Sequence, residues 1–149
     1  MIRVQAGDFD IGAEIERIRA GRTDIGAIVS FTGTVRETKS ERVTAMTLEH
    51  YPGMTESELA RIEREARDHW PITDCTIIHR YGRLEPGDNI VLVVTASAHR
   101  QAAFEAAQFL MDYLKTSAPF WKNEETETGA RWVEAREIDD DAARRWTRK

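Results

Sequence analysis

The stretch from Ile90 to Ser97 constrains the fold more than any other. Ile90-Val-Leu-Val-Val-Thr-Ala-Ser97 is apolar and rich in β-branched residues at both odd and even positions. A strand alternates its side chains between two faces, so a run of this kind predicts a central strand covered on both sides. Glu85-Pro-Gly-Asp88 before it is a turn sequence. Ile72 to Tyr81, before that turn, reads as another strand, and the short connection predicts an antiparallel pair.

Periodicity shifts along the rest of the chain. Ile11, Ile15 and Ile18 fit one face of a short first helix. From Ile25 to Val35 the pattern alternates, with Ile25, Ala27, Val29, Phe31, Gly33 and Val35 on one face. Ser30, Thr32, Thr34 and Arg36 share the other face. Val43 to His50 is a second strand, broken by Pro52-Gly53. Thr55 fits an N-cap, with Glu58 completing a capping box, for a helix carrying Leu59, Ile62, Ala66 and Trp70. Pro71 marks its end. Gln101 to Leu114 is a helix with Ala103, Ala107, Leu110 and Leu114 on one face, stopped by Pro119. Arg131 to Arg136 is a short strand after Gly129, and Asp140 to Trp146 fits a terminal helix. Helices and strands mix without a regular βαβ rhythm. The expectation is an α+β fold with a mainly antiparallel sheet and packed helices, one domain spanning residues 1–149.

Composition excludes several function classes. The formal net charge of −5 argues against nucleic-acid binding, which usually needs a basic face. No apolar run approaches the ~18–20 residues of a membrane span. No apolar h-region follows Met1-Ile-Arg-Val-Gln5, so no signal peptide is expected and the cytoplasm is the expected compartment. The one cysteine, Cys75, can form neither an internal disulfide nor a multi-thiolate metal site, and its strand context predicts a small core residue. HExxH and CxxC spacings are absent, so neither a metal nor a cofactor is expected.

On an acidic chain, local clusters of cations stand out. With Ser97 as a possible N-cap, His99-Arg100 falls in a first helical turn, where cations oppose the helix dipole. An anion pocket and an Arg turned back to a strand carboxylate both satisfy that placement. Lys115 falls in the last turn of its helix, where a cation is favourable for stability alone. Lys122 follows Phe120-Trp121, read as part of a packed loop after Pro119. An aromatic wall there fits core packing, and it equally suits an amine made reactive by low polarity. Gly33-Thr34-Val35-Arg36 ends a strand, and its amides with the Arg36 guanidinium suit either a phosphate or open solvent. It is not a Walker loop. Arg136 ends Trp132-Val-Glu-Ala-Arg136, and His79-Arg80 reads as a structural strand-end pair.

Taken in order, these segments resemble the large subunit of molybdopterin synthase over nearly the whole chain. The carrying segments are Phe31-Thr-Gly-Thr-Val-Arg36, Leu48-Glu-His-Tyr-Pro-Gly-Met54, Ile78-His-Arg-Tyr-Gly82, Ser97-Ala-His-Arg100, Tyr113-Leu-Lys115, Ala118-Pro-Phe-Trp-Lys122 and Trp132-Val-Glu-Ala-Arg136. The resemblance implies conversion of cyclic pyranopterin monophosphate into molybdopterin. It implies sulfur delivered by a small ubiquitin-like subunit, as a thiocarboxylate on a C-terminal Gly-Gly tail. It also implies a self-dimer within a heterotetramer. By motif, Lys115 and Lys122 become the catalytic pair. Thr34, Val35, Arg36, His99, Arg100, Asn123, Glu124 and Arg136 become substrate-binding residues. Asn123 departs from the family pattern, in which a basic residue often stands there. The resemblance also accounts for a sulfur-transfer enzyme with no cysteine placed for chemistry, because the sulfur arrives on the partner. A non-catalytic scaffold for the small partner, and a phosphoester-processing enzyme of another family, are the alternatives. The second would need a metal or a clear nucleophile.

Overall fold

A computed structural model describes residues 1–37, 43–126, 129–133, 144 and 146. The central strand expected from Ile90 is present as β6 (Asn89–Ser97), following β1 (Ile2–Gln5), α1 (Ile11–Arg19), β2 (Ala27–Thr34), β3 (Val43–His50), α2 (Met54–His69), β4 (Ile72–Arg80) and β5 (Gly82–Leu84). After it come α3 (Arg100–Thr116), β7 (Phe120–Thr126) and β8 (Gly129–Val133). The strands form two four-stranded sheets, in the orders β1-β4-β6-β2 and β5-β3-β7-β8. Among the described residues only the β1/β4 pair is parallel. This is the expected α+β class, although the second sheet, entered through β5, has no counterpart in a reading of β4 and β6 as a simple hairpin.

The two-faced apolar character of β6 has a direct cause. Val91 and Val93, with Cys75 and Ile77 of β4, face a layer made by α2 and α3. Leu59, Ile62 and Ala66 from α2 fill that layer, with Ala102, Ala106, Phe109, Leu110 and Leu114 from α3. The alternate residues Leu92, Val94 and Ala96, with Ile78, face Ile18 of α1, with Ile11 and Ile15 alongside. Each fully buried Leu or Ile here contributes roughly 1.5–3 kcal/mol of transfer free energy. A smaller core in the second sheet joins Val35, Met46, Leu48 and Leu84. No helix among the described residues is long and apolar enough to cross a membrane.

Several local expectations are corrected. The N-cap of α2 is Gly53, whose N–H donates to Glu56 Oε2 at 2.6 Å. Thr55 lies inside the helix and is fully buried, and Glu58 pairs with Arg61 instead of closing a box. The N-cap of α3 is His99, because Ser97 is still in β6, with its hydroxyl donating to Pro71 C=O. On β2, an edge strand, Phe31 is 41% exposed, so the predicted apolar face is only partly covered. Lys122, Asn123 and Glu124 lie in a hydrogen-bonded strand rather than a loop. Gly26 permits the approach of β2 to the start of α3. A Cβ there would sit 2.2 Å from the Ala98 carbonyl oxygen, while the Gly26 N–H donates to Ser97 C=O. The terminal helix expected over 140–146 lies almost wholly outside the described residues. Trp146 itself packs on Trp70 and Phe109 and donates its indole N–H to Asp112.

Candidate functional site

Lys115 and Lys122 sit on two different supports, both near the buried ring of His79. Lys115 is exposed in the last turn of α3, where the helix dipole favours a cation. Lys122 is half-buried in β7, a strand paired on both sides: Lys122 stands opposite Leu48 of β3 and Val133 of β8. Alternation along β7 places Phe120, Lys122 and Glu124 on one face, with Trp121 and Asn123 on the other. Phe120 packs against the core of the first sheet, so the Lys122 face is turned inward toward β4 and α3. Trp121 packs at a tilt against the exposed Tyr51 on the opposite face. Asn123 therefore does not share a face with Lys122, whereas Glu124 does.

His79, at the end of β4, lies between these supports. Its ring stacks on Phe120 with centroids 3.7 Å apart and planes 17° from parallel. It sits on the face of β4 shared by Cys75 and Ile77, four and two residues earlier. The Nδ1–H of the neutral ring donates to the Arg80 carbonyl at 2.8 Å. Burial drives its pKa down to about 4, against the opposing pull of that carbonyl. The charges of Lys122, Lys115 and His50 lower it further, so both lysines act on one buried ring. His50 extends the aromatic wall, with Tyr81 at 4.5 Å and Phe120 at 6.2 Å.

This buried ring makes acid stability a test of the geometry. The folded pKa of about 4 lies below the ordinary 6.5, so the unfolded chain binds the extra proton first. The contribution is complete above pH 6.5 and is lost as pH falls through 4. Its full size is about 3 kcal/mol. His79→Phe keeps an aromatic ring without the titration. Urea unfolding of both proteins from pH 7 to 4 is expected to show a steeper loss for the wild type by roughly that amount. Parallel acid limbs would show that His79 is not held neutral by its surroundings.

The other sequence-derived residues divide between two ends of the molecule. The register pairs Thr34 with Asn89 and Ala27 with Ser97. Thr34 and Arg36 are exposed at the end of the first sheet where β6 begins, the end that also holds His79, paired with Val91. Val35 is a structural anchor: its side chain is buried in the second core, and its N–H and C=O bond to Asp88 and Gly87. His99 and Arg100 are exposed at the opposite end, beyond Ser97. α3 runs back along the sheet, so Arg100 and Lys115 are about 22 Å apart along its axis. A single copy thus groups Lys115, Lys122, Thr34, Arg36 and Glu124 at one end, with His99 and Arg100 at the other. Arg136 lies outside the described residues. Arg80 is structural, as its sequence context suggests, donating to the carbonyls of Ala6 and Asn89.

Sequence reasoning passed over His79 and Thr55. His79 was legible in the period-2 pattern Cys75, Ile77, His79, which puts it on the helix-covered face. Thr55 was obscured by its resemblance to an N-cap. Cys75 is fully buried, and desolvation, with Glu63 nearby, pushes its thiol up to about 12, so it carries no accessible thiolate. Among the described residues no group of three or more His, Cys, Asp or Glu could hold a metal ion.

The family model described as MoaE protein matches residues 4–117. The chain belongs to the MoaE family. A relative from Mesorhizobium japonicum, named molybdopterin synthase catalytic subunit, is 56% identical over 147 residues, covering 97% of this chain and 92% of that protein. The solved structure of the molybdopterin biosynthesis MoaE protein from Burkholderia ambifaria superposes with a TM-score of 0.86 at 52% identity, covering 100% of this chain and 99% of that one. The molybdopterin synthase structure from Staphylococcus aureus superposes at 0.81 with 34% identity, over 88% of this chain and 95% of that one. The MoaE match extends across the first sheet, all three helices and Lys115. Lys122 lies beyond the matched span but within the length covered by the Burkholderia structure.

Proposed function

We propose that this MoaE chain is the catalytic subunit of a molybdopterin synthase, converting cyclic pyranopterin monophosphate to molybdopterin. Sulfur comes from the C-terminal thiocarboxylate of a small ubiquitin-like subunit. The observation that carries the reading is the pairing of Lys115 and Lys122 around the His79–Phe120 stack, in a chain 56% identical to a protein of that name. Attack by a thiocarboxylate sulfur builds negative charge on the substrate and needs a proton delivered. An ammonium beside an apolar wall meets both needs more strongly than one in water. Lys115 serves that step, and Lys122 contacts the partner's terminal carboxyl group and the pterin. Arg36, Thr34 and Glu124 line the same end of the molecule. A diglycine tail fits a narrow approach because it has no side chains to clash. Cys75 is too deeply buried to take the sulfur.

His99 and Arg100 bind the substrate phosphate in this reading, and a guanidinium suits that anion. They lie far from Lys115 along α3, so in this reading they serve the lysine site of a second copy, in keeping with the expected self-dimer. Arg136 joins the anion-binding set by motif alone. The reaction is placed in the cytoplasm.

The test is reconstitution with a thiocarboxylated small subunit and the cyclic monophosphate, with molybdopterin measured after oxidation to its fluorescent derivative. Turnover is expected. A complex that forms but makes no molybdopterin would favour the scaffold reading and overturn this one.

A further inference from the structure

Two contacts hold the short segment between the lysines. Thr55 of α2 is fully buried. Its Oγ1 accepts the Tyr51 N–H at 3.1 Å and donates to the Pro119 carbonyl, also at 3.1 Å. A hydroxyl has a single proton, so this pair of bonds has one possible direction. In the second contact, the ring of His79 lies flat on Phe120 at 3.7 Å, its plane held by the Nδ1–H bond to Arg80. The gripped residues, Pro119 and Phe120, are adjacent. Lys115 precedes them by four residues, and Lys122 follows by two.

The need for a grip lies in the supports. Lys115 rides on α3, which packs against the first sheet. Lys122 rides on β7, in the second sheet. His79 belongs to the first sheet and Phe120 to the second, so their stack joins the two supports beside the amines. Thr55 adds a third element, α2. Both side chains are polar groups in buried positions, where an apolar residue of similar size would avoid the desolvation penalty.

We infer that Thr55 and His79 are positioning residues that clamp Pro119-Phe120 between them and so set where the Lys122 amine sits relative to Lys115. The inference rests on the lysine-pair reading above. A displacement of about 1 Å at a reacting group costs on the order of 100-fold in rate, so a loosened clamp acts on turnover before it acts on binding.

Four variants in the reconstituted complex test it: Thr55→Val, Thr55→Ser, His79→Asn and His79→Phe. Thr55→Val and His79→Asn are each expected to lower kcat by about tenfold or more, with KM for the cyclic monophosphate within roughly twofold of wild type. Thr55→Ser keeps the hydroxyl and His79→Phe keeps the stack, so both are expected within about threefold of wild-type kcat. A second readout needs no turnover: the rate of Lys122 acetylation by acetic anhydride, followed by mass spectrometry on the folded protein. It is expected to change at least about threefold in Thr55→Val and His79→Asn and to stay near wild type in the conservative pair. If the wild type made no molybdopterin, the proposed activity would fail, and the acetylation rates alone would decide the clamp. Wild-type kcat and acetylation in Thr55→Val and His79→Asn would overturn it. So would a Thr55→Ser variant as impaired as Thr55→Val. If His79→Asn does not fold, the Thr55 pair decides.

Discussion

Replacing Lys115 with alanine is expected to lower molybdopterin formation by about 100- to 10,000-fold, the range for losing a positioned acid or charge stabiliser. Lys115 is exposed at a helix C-terminus, so the fold loses only a favourable end charge, about 0.3–1 kcal/mol. The variant is therefore expected to unfold near the wild-type denaturant midpoint and to bind the small subunit. Single-turnover measurement with preformed thiocarboxylate isolates the chemical step from complex assembly. Lys122→Ala is expected to be comparably slow, with an added loss of affinity for the partner's tail, because in the proposed mechanism its amine contacts the terminal carboxyl group. Wild-type rates in Lys115→Ala would remove the lysine from the chemistry and return it to the role of a helix-end cation.

Two inactive variants are expected to restore activity when combined. Arg100→Ala should weaken phosphate binding and Lys115→Ala should abolish the chemical step, but the two residues lie at opposite ends of α3. If each site takes its lysines from one copy and its Arg100 from another, a mixed dimer contains one intact site and one doubly damaged site. Random re-association makes half the dimers mixed, and half of their sites are whole. Mixing equal amounts after mild dissociation should thus return about a quarter of wild-type activity. A mixture no more active than its components would mean that Arg100 does not complete the lysine site of a second copy.

The fold was legible where the pattern was strong, and the site only in part. The β-branched run from Ile90 gave β6 its central place because both faces had to be covered, and α1 and the α2/α3 layer cover them. The second sheet was harder to read. Its strand β5 is three residues long and β7 carries Lys122, Asn123, Glu124 and Glu125, a polar run without strand-like alternation. Pairing with β3 and β8 fixes β7 as a strand, and such pairing is tertiary information. Thr55 misled because the same hydroxyl that caps a helix can bond a distant carbonyl, and sequence spacing does not separate the two. The residue types of the lysine pair and the His99-Arg100 turn were visible as cations on an acidic chain. Their separation became visible only when β6 and α3 were placed side by side.

The supports of the two lysines also imply different freedom of motion. Lys122 is flanked by hydrogen-bonded neighbours on both sides of β7. Lys115 sits one residue before the end of α3, where carbonyls run out of intrahelical partners and turns fray. Amide exchange is expected to be slower through β7 than at Thr116 and Ser117, where the Ser117 N–H bond to Tyr113 C=O opens as the last turn frays. In the proposed mechanism the more firmly held Lys122 would then serve as the fixed reference point, and Lys115 would follow the reacting carbon.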